Sequence, residues 1–453
     1  MRSSGSLLKR FTAMIAGNPA LNPRALPVIA RYTFRLHLLS AVIDAFLLGG
    51  FVYSFADIIL KRALDASKLD IAIFTMLGPV TALFSMHWAS YMQGKKKAPF
   101  FLIAGIFGRL VLVLMLFCHT PLFYLVIFGI SSLFNTLLIP TMNNIFQNNY
   151  PSHMRGQIFG AVAATATVVS LPMAYIAGRM FETNEDIFRW AFAAAGIIGF
   201  VSVLILRSIR IRHRPIEEGE FCPLPDRPTI IEHYRYAQFL FMIHRAAVAP
   251  VKETADLFKQ NRLYGKFEAA FMIYGFGFMT AYPALPIWFD DVLHMRYDEI
   301  SISRTIASGL CVILLSYPIG RLMDKTNPIK FCAIVFAVLA FYPLLIVLLP
   351  NQLGVLLGFI AFGIGMVGIN LAWNLSSIYF AGKSEVSTYM GAHVTLVGIR
   401  GTFGPLISFL VMKYIDVSAA FYLSALFFAI ASVQMGRLHL SERAKRKTAA
   451  GAA

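Results

Sequence analysis

Charged and hydrogen-bonding side chains set deep in apolar sequence are the groups of this chain with chemistry to offer. Asp44 stands inside the apolar run 36–60, Arg109 near the middle of 98–119 and Arg400 near the middle of 387–412. An ionisable group at such a depth is costly unless it faces a cavity or a partner. His37 and Asp44 are seven residues apart, and so are His393 and Arg400. Seven residues make close to two helical turns, so each pair shares a helix face. The functional reading is a polar cavity holding two guanidinium groups and one titratable carboxylate. Arginine binds an anionic group through charge-assisted hydrogen bonds, and Asp44 would carry a coupling proton. The structural reading pairs Asp44 with Arg109 to fix two helices, and leaves Arg400 without an evident acidic partner. Amides add hydrogen-bonding capacity, with Asn143 and Asn374 the two that share a place in the chain's internal repeat.

The elements that must position these residues are membrane spans. Hydrophobic residues make up 58% of the 453 and charged residues 14%, against about 25% charged in soluble domains; the mean hydropathy is +0.67. So much apolar sequence requires the bilayer as solvent. The net charge of +17 does not indicate a nucleic-acid partner, because the basic residues lie in short loops between apolar runs. Cys118, Cys222, Cys311 and Cys332 form no CxxC pair, so neither a disulfide framework nor a metal site is expected. The N-terminus lacks a cleavable leader pattern, and the first long apolar run acts as an uncleaved insertion signal.

Twelve spans are expected: 36–60, 70–92, 98–119, 121–147, 156–180, 187–206, 264–289, 299–320, 328–349, 351–380, 387–412 and 417–436. Most of the 40 lysines and arginines fall in the segments that share one side with both termini. That asymmetry places the termini in the cytoplasm and the chain in the inner membrane. The organisation is a cytoplasmic N-terminal segment 1–35, a six-helix bundle 36–206, a cytoplasmic linker 207–263 with amphipathic helices, a second six-helix bundle 264–436 and a basic cytoplasmic tail 437–453. At an offset of 231, Pro19, Arg31 and Arg35 match Pro250, Arg262 and Lys266, Asn143 matches Asn374, and Gly160-Ala161 matches Gly391-Ala392. The matches preserve span order and indicate two repeated halves, an arrangement that encloses a substrate near the midplane.

One loop carries a family signature. Gly320-Arg321-Leu322-Met323-Asp324-Lys325-Thr326-Asn327-Pro328 follows span eight. Here the chain resembles the major facilitator superfamily, whose loop reads Gly, three residues, Asp, Arg or Lys, one residue, then Gly or Asn. The resemblance implies an all-α membrane protein of two pseudo-symmetric six-helix bundles that works as a secondary transporter by alternating access. It implies a gating role for Gly320, where helices approach closely, for Asp324 and Lys325, and for Arg155 at the start of span five. The first-half copy has lost its acid: His87, Tyr91 and Gly94 occupy the places of Gly, Asp and Gly. The Gly-Pro pattern of family antiporters is absent from span five, which has Ser170-Leu171-Pro172, so antiport is not inferred. Gly398, Gly401, Gly404 and Pro405 in span eleven permit close packing and a bend.

No P-loop, HExxH or GxSxG is present, so neither an enzyme nor a bound cofactor is expected. The expected protein is a monomer that moves a small solute, weakly favouring anionic or zwitterionic ones, with protons and the lipid bilayer as its other partners. The alternative is a relative of such transporters that no longer transports and serves as a sensor or assembly protein.

Overall fold

The computed structural model describes residues 26–84, 88, 92, 96–151, 154–210, 254–381 and 386–451. The positions His87, Tyr91 and Gly94 and most of the 207–263 linker lie outside the described residues, as do the side chains of Asp324 and Asn374. The architecture is all-α. Among the described residues eleven helices are long and apolar enough to cross a membrane. They are α1 (Val28–Arg62), α3 (Ala98–Phe117), α4 (Pro121–Asn143), α5 (Ile158–Thr183 within the helix Arg155–Thr183), α6 (Ile187–Arg207), α7 (Arg262–Val292), α8 (Tyr297–Met323), α9 (Pro328–Leu348), α10 (Gln352–Trp373 within Gln352–Ala381), α11 (Ala392–Tyr414 within Val386–Tyr414) and α12 (Val417–Lys445 within Val417–Gly451). The place of the second expected span is taken by α2 (Lys68–Ala82), which is described only in part beyond its end.

Two helices exceed the apolar runs that announced them. Helix α1 begins at Val28 rather than 36, and α12 continues through the basic tail to Gly451. Hydropathy marks the part of a helix that meets lipid, whereas backbone hydrogen bonding continues into the polar flank. Helix starts follow local chemistry. Ser67 and Asp70 form a capping box on α2, and Asn261 accepts from the Tyr264 amide at 3.0 Å to open α7. In the signature loop, Asn327 accepts from the Ile329 amide at 2.9 Å and Pro328 takes the first helical position of α9.

Four spans are not regular α-helix, α7 among them with a π-helical end at Trp288–Val292. Residues Ala45–Val52 of α1, Ala104–Arg109 of α3 and Ser301–Ile306 of α8 are π-helical. A π turn adds a residue to the turn and re-aims the side chains beside it, and such turns gather at functional sites. Asp44 immediately precedes the first, Arg109 ends the second and Arg304 lies in the third.

Within the first half α1 packs on α5 and α6, and α3 on α4 and α6; within the second α9 packs on α10 and α12, and α7 on α11 and α12. The halves meet through α2 against α11, α5 against α8 and α1 against α7. Glycines permit these approaches: a Cβ on Gly178 of α5 would lie 2.9 Å from the Tyr297 carbonyl oxygen and 3.0 Å from Asp298 Cα, and Gly401 of α11 sits on Pro79 of α2. The largest apolar core draws residues from both halves, whereas the cluster of Leu26, Phe34, Phe146, Tyr150, Ile158 and Leu206 belongs to the first half alone.

Candidate functional site

The ion pairs between the two halves cluster at one end of the molecule, where α1 and α5 finish, α7 ends and α8 begins. Arg62 donates to Asp290 at 2.7 Å and to the Met295 carbonyl, and Lys61 pairs with Asp291 at 2.9 Å. Arg179 pairs with Asp298 at 3.0 Å, and the Tyr297 amide donates to Glu182 at 2.9 Å. Lys68 of α2 donates to the Met412 carbonyl of α11 at 2.9 Å. Among the described residues no ion pair joins the halves at the opposite end. Glu185, in the turn between α5 and α6, borders this network, and burial pushes its carboxyl above the usual carboxylate range.

Beneath that seal lies one deeper pair. Arg304 Nη1 of α8 stands 2.7 Å from Asp57 Oδ2 of α1 and 2.9 Å from Oδ1, and both side chains are buried. The Arg304 guanidinium also lies over the Tyr282 ring of α7 at 5.6 Å. Beside it is a cavity of about 240 Å³ between the halves, lined among others by Tyr53, Ser54, Tyr282, Arg304, Ser308 and Phe362. A buried charge pair spanning two bodies is held only while the bodies stay together, since parting them would strand both charges.

The residues singled out in the sequence fall into separate places. Asp44 and Arg109 do meet: Arg109 Nη2 donates to Asp44 Oδ2 at 3.2 Å and Nη1 to the Tyr53 hydroxyl at 2.8 Å. Gly199 of α6 makes room, since a Cβ there would lie 3.2 Å from Arg109 Cδ. Through Tyr53 this pair touches the inter-half cavity without lining it. The shared face of His37 and Asp44 does not give a shared partner, for His37 Nδ1 stands 3.3 Å from the Tyr150 hydroxyl and its ring packs on Phe146.

His393 and Arg400 both turn toward α7. His393 Nδ1 bonds Glu268 at 3.0 and 3.1 Å, and Arg400 Nη1 donates to the Phe271 carbonyl at 2.8 Å. Arg400 lies among the rings of Phe271, Tyr274 and Trp373, with room provided by Gly275. It is 4% exposed, so in this conformation it is enclosed in the second bundle rather than facing the cavity. Asn143 is exposed on α4.

The gating residues divide similarly. Arg155 Nε donates to the Tyr150 carbonyl at 3.2 Å, a local tie at the start of α5. The close helix approach expected at Gly320 is not found among the described residues, where a Cβ there would meet no atom within 4 Å. The charges and glycines that draw the halves together act at the other end of α8, which leaves the Gly320 end apart. Lys325 caps α8 and lines a groove with Asn327, Lys330, Tyr379 and Arg443, all of the second half.

Sequence reasoning missed Asp57, Arg304 and Glu268. Each lies within about two turns of the end of an expected span, where a charge ordinarily reaches the interface.

The chain matches the model of the Major Facilitator Superfamily over residues 38–405 and 270–453. Its curated relatives include the proton-coupled antiporter flippase LtaA of Staphylococcus aureus strain N315, 24% identical over 207 residues, 45% of this chain and 51% of that protein. The chain thus spans about half the length of the curated relatives it matches. Among solved structures it superposes on the nucleoside transporter NupG with a TM-score of 0.65 at 13% identity, covering 89% of this chain and 99% of that one. It superposes on a POT family transporter in complex with 5-aminolevulinic acid with a TM-score of 0.64 at 13% identity, covering 91% and 95%.

Proposed function

The chain belongs to the major facilitator superfamily, and from that premise we propose that it moves a small anionic or zwitterionic solute across the inner membrane by alternating access, with a proton as the coupling ion. The observation that carries this reading is the buried Asp57–Arg304 pair, which joins the halves directly above a cavity that both halves line.

The pair supplies a coupling step from its own chemistry. A proton on Asp57 neutralises the carboxylate and removes the partner of Arg304. The guanidinium then accepts an anionic group of the solute in its place, bidentate where the group is a carboxylate or phosphate. With Asp57 protonated, the deepest tie between the halves is released, and the sealed end is free to part. Departure of solute and proton restores the pair. Tyr53 and Tyr282 flank the cavity with hydroxyls for orientation. Proton coupling is also the property named for the LtaA relatives. The sealed end is the outer one in this reading, so the structure corresponds to a form accessible from the cytoplasm.

The test is proton movement in proteoliposomes loaded with a pH-sensitive dye and offered a panel of anionic and zwitterionic small solutes. At least one solute should drive proton entry in the wild type. Asp57→Asn should reduce that flux by more than about tenfold while the protein still binds the solute. If no solute moves protons through the wild-type protein, the transport reading gives way to the non-transporting sensor.

A further inference from the structure

The second bundle encloses a cluster of titratable groups that the inter-half site does not use. Glu268 of α7 and His393 of α11 are each 1% exposed, with His393 Nδ1 3.0 Å from Oε2 and 3.1 Å from Oε1 of the carboxylate. We propose that the Glu268–His393 pair is a proton-binding site inside the second bundle, and that Nε2 of His393 is the atom that takes the proton.

The hydrogen bonding assigns the tautomer. A carboxylate is an acceptor only, so Nδ1 carries the hydrogen and donates to Glu268. In a neutral imidazole that leaves the lone pair on Nε2. This atom is buried and has no hydrogen-bond partner among the described residues. Natural proteins pair nearly all buried polar atoms, and an orphan marks either a cost without purpose or a group whose partner comes and goes. A proton is such a partner. It converts His393 to an imidazolium that keeps its bond to Glu268 and gains a Coulomb attraction to it.

Charge accounting sets the resting state and the limit on loading. Arg400, one face along α11, stays cationic at all relevant pH and feels the Glu268 carboxylate. With Glu268 ionised, His393 neutral and Arg400 charged, the cluster sums to zero, the cheapest state in a low-dielectric interior. One added proton brings it to +1, with the two oxygens of Glu268 shared between the imidazolium and the field of Arg400.

The walls contribute no competing charge among the described residues. From α7 come Tyr264, whose hydroxyl donates to the Tyr389 carbonyl at 2.7 Å, and Tyr274; from α9 come Cys332 and Phe336. From α10 comes Trp373, edge-on to the His393 ring at 4.4 Å; from α11 comes Tyr389, tied to Asn261 at 3.0 Å; and from α12 comes Phe428 behind Tyr274. Glu268 lies six residues into α7, about 9 Å from the start of the helix, so the site lies nearer the end opposite the inter-half seal. It would serve the proton-coupled reading as a second station, but its existence does not depend on that reading.

Infrared difference spectra of the full-length protein in detergent, between about pH 5 and pH 8 where imidazoles titrate, test the site. The wild type should show an imidazole protonation signal together with a shift of a buried carboxylate band. His393→Asn places an amide nitrogen where Nδ1 stood, so it still donates to Glu268, but it has no Nε2. The variant should keep the wild-type Tm, lose one histidine's share of the imidazole signal and lose the carboxylate shift. His37→Asn should leave the carboxylate shift in place. If His393→Asn titrates with the wild-type amplitude and carboxylate shift, the site does not bind a proton and the proposal is overturned, whatever the proton flux shows. If the signal is lost in His393→Asn while the wild type moves no protons with any solute, the site stands and the transport reading fails.

Discussion

At the scale of single residues, the three buried charge pairs differ in what each can lose. Arg109 is enclosed, with Asp44 and Tyr53 as its partners, and Asp44 keeps 27% of its side chain exposed. Removing one member of a buried pair strands the other and costs about 3–5 kcal/mol, while removing both costs less. Asp44→Ala should therefore lower thermal stability more than the double variant Asp44→Ala/Arg109→Ala, measured by thermal unfolding of the purified protein. Additive losses would mean that the two side chains do not depend on each other. The same logic explains what the sequence could and could not disclose. Asp44 and Arg109 stood out because both lie mid-span, and their pairing was one of two open readings. Asp57, Arg304 and Glu268 did not stand out, because depth along one helix says nothing about whether another helix covers that turn. Asp57 is buried by α8, a partner 247 residues away in sequence.

At the scale of elements, the order of the spans was readable from hydropathy, and eleven of the twelve expected are found as long apolar helices among the described residues, but their internal irregularity was not readable. The π-helical turns in α1, α3, α7 and α8 have no hydrophobic period of their own. Close inter-helix contacts were readable in part. The small residues of α11 do meet other helices, Gly398 on Leu83 and Gly401 on Pro79, both in α2 or its continuation. Gly178 was not singled out, yet it governs the approach of α5 to α8, with the Tyr297 carbonyl and Asp298 backbone against its Cα. A backbone cannot yield as a flexible side chain does. Gly178→Val should therefore wedge the two helices apart and weaken the Arg179–Asp298 pair beside it. In a cysteine-free background carrying Ser54→Cys in the cavity, a membrane-impermeant thiol reagent added at the sealed end should react several-fold faster with the Gly178→Val protein (about 1.4 kcal/mol for each factor of ten). Equal rates would show that the α5–α8 contact has slack.

At the scale of the whole molecule, the two ends differ in two ways that bear on the proposed orientation. One is the distribution of basic residues, on which the proposal that both termini are cytoplasmic rests. The other is chemical: the sealed end binds its arginines and lysines in pairs with Asp290, Asp291 and Asp298 and with backbone carbonyls, whereas Lys325, Lys330 and Arg443 line a groove at the opposite end. The odd number of crossings between Arg31 and Lys61, and between Lys266 and Asp291, fixes the relation of the two ends whatever the side. The turn between α5 and α6 at Glu185 and the turn after α7 at Asp291 should then both face outward, and the α8–α9 turn at Lys325 inward. Single cysteines at Glu185 and Asp291, in intact cells expressing a cysteine-free protein, should react with an impermeant maleimide, while one at Lys325 should react only after the membrane is permeabilised. Asp291 is held by Lys61, so its cysteine also removes the shorter of that lysine's two ion pairs; Glu185 is the cleaner position, since it borders the seal without an ion pair of its own among the described residues. Labelling of the Lys325 position from outside, with Glu185 protected, would invert the molecule and make the sealed end cytoplasmic. The Asp57–Arg304 pair would then close the inner side, and the same proton on Asp57 would favour opening toward the cytoplasm.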